Sequence, residues 1–160
     1  MSRVLAIYWA SRRVGTLEQT DSGQLEFSYD PAWLSMAEPR PLSQSLPLQQ
    51  QTFDHASCRP FFAELLPEAE KRDLIARGLG ISPRNDFALL DRIGGECAGA
   101  ITFLPPDAPA PGPTSTSDYK LLPSPELDRI LRILPERPLL AGEEGIRLSL
   151  AGAQDKLPVL

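Results

Sequence analysis

Apolar and polar residues alternate with the period of a strand early in the chain. Val4–Trp9 predicts a first strand, Ser11–Arg13 a turn and Val14–Glu18 a second strand. After the turn signal Asp21–Ser22–Gly23, Leu25–Tyr29 predicts a third. Together they predict a β-meander that builds a core. Asp30–Pro31 then opens a short helical turn carrying Trp33 and Leu34.

Pro39–Arg40–Pro41 breaks the chain. Ser45–Leu48 predicts a short strand that Pro47 confines to an edge or an end, and Gln49–Gln51 a polar loop. Phe61, Phe62, Leu65 and Leu66 recur at helical spacing. Pro67 is placed to start a second helix, Glu68–Arg77, with acids at its beginning and Gly78 and Gly80 at its end. Ser82–Pro83 and Asn85–Asp86 offer caps for a third helix, Phe87–Ile93, closed by Gly94–Gly95. Ala98–Leu104 predicts a strand. Pro105–Ser117, with five prolines in thirteen residues, predicts an extended linker; a PxxP-type ligand is the less favoured reading.

Tyr119–Leu122 predicts another strand. Ser124–Pro125 begins a helix, Glu126–Leu134, with Leu127, Ile130, Leu131 and Leu134 on one face. Pro135–Gly145 is a loop. Ile146, Leu148 and Leu150 alternate with Arg147 and Ser149 as a strand with one buried face. Ala151–Gly152–Ala153 turns tightly, and Gln154, Asp155 and Lys156 add polar groups before Leu157–Leu160. The pattern predicts an α+β module over 1–104, a linker over 105–117 and the start of a second lobe over 118–160.

Composition narrows the chemistry. The chain has 160 residues, 42% hydrophobic and 23% charged, enough for a domain-sized core. A net charge of -5 argues against an unaided grip on DNA or an anionic membrane, which needs clustered Lys and Arg. Two cysteines, Cys58 and Cys97, make no disulfide framework, and with a single histidine they give no zinc spacing. The first apolar run is too short for a signal or membrane segment, so the cytoplasm is the expected location, with no membrane partner. His55 has no nucleophile in a recognisable setting beside it and reads as a loop or surface histidine. Glu64, Glu68 and Glu70 read as the solvated carboxylates of a helix start rather than an acid–base pair.

A small-residue loop between strands can turn backbone N–H groups toward an anion, which makes 151–156 a candidate phosphate cradle. Neither GxGxxG nor GxxxxGK[ST] is present, and most such turns are only turns. The wording of the segment is more specific. Ser149–Leu150–Ala151–Gly152–Ala153–Gln154–Asp155–Lys156 resembles the S-[VL]-A-G-A-Q-[ED]-K segment of the HipA family, the serine/threonine-kinase toxins of bacterial toxin–antitoxin pairs. Val14–Leu17, Phe27–Tyr29 and Trp33–Leu34 resemble the family's opening, and Pro41–Leu48 its PLSxSLPL. Phe61–Glu68 with Arg72 resembles FFxxLLPEGxxR, with Ala69 where glycine is usual. Asp86–Leu90 with Ile93–Ala100 resembles DxxxLLxxIGxDCxGA, with Glu96 for the aspartate.

The resemblance implies a small α/β subdomain followed by the opening of a protein-kinase-like N-lobe. For a complete family member it implies ATP- and Mg2+-dependent phosphorylation of a protein serine, with glutamyl-tRNA synthetase as the kind of target. It also implies neutralisation by a HipB-like helix-turn-helix antitoxin, through which alone DNA would be bound. It assigns Ala151, Gly152, Ala153, Gln154, Asp155 and Lys156 to the ATP phosphate loop and Ser149 to regulatory autophosphorylation. Spacing alone would make Ser149 an ordinary strand serine. No HRD-like, DFG-like or VAIK-like segment is present. No catalytic or metal-binding residue is therefore assigned, and the chain is expected to be the inactive front portion of a kinase or a truncated product of one. The alternative is a stand-alone N-terminal subdomain acting as antitoxin or regulator of a shorter kinase; an abandoned gene fragment is the bland third.

Overall fold

The computed structural model describes residues 3–94, 100–112 and 123–133. Strands β1 (Arg3–Trp9), β2 (Arg12–Gln19) and β3 (Leu25–Tyr29) form the meander that the alternation predicts. The first turn is tighter than expected. Trp9 pairs with Arg12, so only Ala10 and Ser11 turn the chain, and Arg12 and Arg13 belong to β2. Ala10 takes a φ of 52° there, the one positive value at a non-glycine among the described residues. A fourth strand, β4 (Ile101–Leu104), returns to pair antiparallel with β1, giving the order β3-β2-β1-β4. This antiparallel sheet with its helices is the α+β architecture expected.

Leu5, Leu17 and Phe27 face one another across three strands, and Ile7 faces Phe103. Their side chains form the core with Leu25, Tyr29 and Ile101. An irregularity between Ile7 and Tyr8 leaves Val14 as an extra, fully buried residue on β2. Ala6 and Tyr8 point to the opposite face of the sheet and are buried too.

Asp30 caps α1 (Pro31–Leu34) by accepting from Ala32 N at 2.9 Å, and Trp33 stacks on Trp9 at 6.1 Å. Ser45–Leu48 is not a strand. Only an isolated bridge, Ser43 to Leu46, forms there. The cause is Tyr29, whose hydroxyl accepts from Leu42 N at 2.9 Å and donates to Leu46 O at 2.5 Å, replacing the strand partner the segment would need. Burial pushes the Tyr29 phenol above its ordinary value, and the Leu42 hydrogen bond offsets part of that.

Helix α2 (His55–Glu64) starts earlier than the aromatic spacing suggests, because Asp54 caps it through Ser57 N at 2.9 Å. Leu65 and Leu66 fall beyond its end. Phe62 stands edge-on to Phe27 at 5.4 Å and to Phe103 at 5.9 Å, joining α2 to both outer strands. Helix α3 (Ala69–Leu79) runs through Gly78 and stops at Gly80, whose φ of 68° suits a left-handed C-cap. Asn85 caps α4 (Asp86–Ile93) through Ala88 N at 3.0 Å. Asp86 through Leu90 are all buried, so the first half of α4 is enclosed, while Arg92 near its end is exposed.

Residues 105–112 form no helix or strand. Helix α5 (Ser124–Ile133) keeps Leu127, Ile130 and Leu131 on one face, of which Ile130 is buried and Leu131 is 52% exposed. Leu134, Cys97 and the segment 134–160 lie outside the described residues.

Two glycine substitutions should have opposite effects, one at the contact of α4 with the sheet and one on the open surface of α3. A Cβ on Gly94 would stand 2.8 Å from Phe103 Cβ, so Gly94→Ala is expected to cost about 1–3 kcal/mol. Gly78 has nothing within 4 Å, so Gly78→Ala in α3 is expected to stabilise by about 0.5–1 kcal/mol. Urea denaturation of both variants checks the opposite signs.

Candidate functional site

The one buried charged residue among those described is Asp86, at 4% exposure. An unpaired carboxylate there would be costly, and two guanidinium groups meet it. Arg59, from α2, places Nε 2.7 Å from Oδ2. Arg72, from α3, donates through Nη2 to Oδ1. Arg72 also donates from Nε to Pro83 O at 2.7 Å, fixing the turn before α4. Asp86 is the first residue of α4, where the helix dipole favours a negative charge. A single carboxylate thus ties α2, α3 and α4 together. Arg72 and Asp86 fall on motif positions in the sequence, but their pairing was not foreseen, and Arg59 was missed. The available signal was an aspartate heading a wholly apolar stretch.

Both carboxylate oxygens are engaged by permanently charged arginines. Arg59 remains half exposed, at 47%. A second ion pair, Arg3–Asp91 at 2.6 Å, anchors the far end of α4 to β1, with the Arg3 guanidinium 5.0 Å from the Phe87 ring centre.

His55 is not a loop histidine. It is the first residue of α2, half-buried, and its Nδ1 accepts from Leu25 N at 2.8 Å. One turn on, Cys58 Sγ donates to Leu25 O at 3.6 Å. Phe27 exchanges two backbone hydrogen bonds with Phe53, at 3.0 and 2.7 Å. The outer edge of β3 is therefore closed by α2 and the segment leading into it, as exposed edges generally require. Burial pushes the Cys58 thiol up to about 11, with Asp54 and Glu26 adding to the rise. Hydrogen bonds from Ser57 hold the Asp54 carboxyl below its usual value.

Glu64, Glu68 and Glu70 are exposed. Among the described residues no group of three or more His, Cys, Asp or Glu is placed to hold a metal ion. Among them, too, no helix is long and apolar enough to cross a membrane. Ser149 and the loop Ala151, Gly152, Ala153, Gln154, Asp155 and Lys156 lie outside the described residues, as does the strand expected over 146–150.

Removing one partner of the buried cluster should leave an uncompensated charge. Arg72→Ala is expected to cost about 3–5 kcal/mol, and the half-exposed Arg59→Ala under about 1 kcal/mol. Chemical denaturation measures both, and equal losses would contradict the assignment. Cys58, protonated at all pH values well below 11, should resist iodoacetamide at pH 8 in the folded chain and react on unfolding. Peptide mapping at Cys58 reads that difference.

Comparison with known proteins extends these observations. The family model described as HipA N-terminal domain matches residues 5–104. The chain is 49% identical over 160 residues to “Putative kinase Y4mE” of Sinorhizobium fredii, covering 99% of this chain and 38% of that protein. It is 36% identical over 119 residues to the serine/threonine-protein kinase toxin HipA of Shewanella oneidensis, covering 73% of this chain and 26% of the toxin. A solved complex of Shewanella oneidensis HipA, HipB and operator DNA contains a chain that matches with a TM-score of 0.67 and 27% identity. The match covers 92% of this chain and 33% of that one. The chain thus spans well under half the length of each of these relatives.

Proposed function

The chain belongs to the HipA N-terminal domain family, and from that footing we propose that it is the N-terminal portion of a HipA-like toxin kinase. The observation that carries this reading is the reach of the similarity. Identity to Y4mE runs over 160 residues, past the end of the family-model match at residue 104. A free-standing antitoxin made of the N-terminal subdomain would have no need of that continuation.

In this reading the complete kinase phosphorylates a serine of a glutamyl-tRNA synthetase-type protein, and a HipB-like helix-turn-helix antitoxin neutralises it. DNA is reached through that antitoxin, which suits a chain of net charge -5. Phosphoryl transfer needs a phosphate cradle, charge neutralisation and carboxylates that hold magnesium. The backbone of 151–156, with Lys156, would supply the first. In this reading ATP and Mg2+ belong to the complete kinase. This portion alone would be catalytically silent. A phosphate on Ser149 would bring up to about two negative charges beside a site meant for ATP phosphates, and so would switch ATP binding off.

Two measurements test the proposal. Residues 1–160 incubated with labelled ATP and Mg2+ should transfer no phosphate, and turnover by the purified chain would refute the division of labour. In the complete protein, Ser149→Ala should remove one phosphate per chain by intact mass; unchanged stoichiometry would refute the role of Ser149.

A further inference from the structure

We draw no further inference here: the strongest candidate, the loop 41–53 between α1 and α2, carries no charged side chain, is pinned by Tyr29 and Phe27 and exposes Leu48, but nothing in the structure shows what covers it.

Discussion

A carboxylate that is almost wholly buried must be neutralised where it stands, and the arrangement of the helices follows from that need. Asp86 heads the most enclosed helix of the fold. Its two oxygens are met by arginines from two different helices, so α2, α3 and α4 cannot shift independently without exposing or orphaning a charge. Such clusters add little net stability compared with a well-packed apolar substitute. Their effect here is on arrangement: Arg59 ties α2 to the start of α4, while Phe62, one turn on, packs between Phe27 and Phe103 and ties α2 to the sheet.

The second constraint is the outer edge of β3. Its backbone groups are satisfied by a histidine, a cysteine and one bridging residue rather than by another strand. That solution closes the sheet on one side and sets where α2 begins. Tyr29 does the same for the loop before it, holding Leu42 and Leu46 by a single hydroxyl. The result is a firmly braced module, its helices and connecting loop tied to one sheet.

Much of this was legible in the residues. The meander follows from the alternation in β1 to β3, and α3 and α4 follow from the glycine and Asn85 signals at their ends. What failed did so for physical reasons. The Ser45–Leu48 segment has the composition of a strand, but its partner is a side-chain hydroxyl distant in sequence. His55 looked idle because its acceptor role depends on β3 lying beside it. Arg59 could not be singled out among the chain's many charges, since only the fold brings it to Asp86. The pairing of β4 with β1 likewise depends on how the helices cross over. The loop 151–156 and Ser149 rest on the wording of the sequence and the family it belongs to.

Hydrogen exchange, followed by mass spectrometry in the wild type and Asp86→Asn, tests most directly whether this carboxylate governs the helices. The expected result is a joint loss of amide protection across α2, α3 and α4 in the variant, with β1 and β2 much less affected. Loss confined to α4, or no change in any helix, would contradict the account.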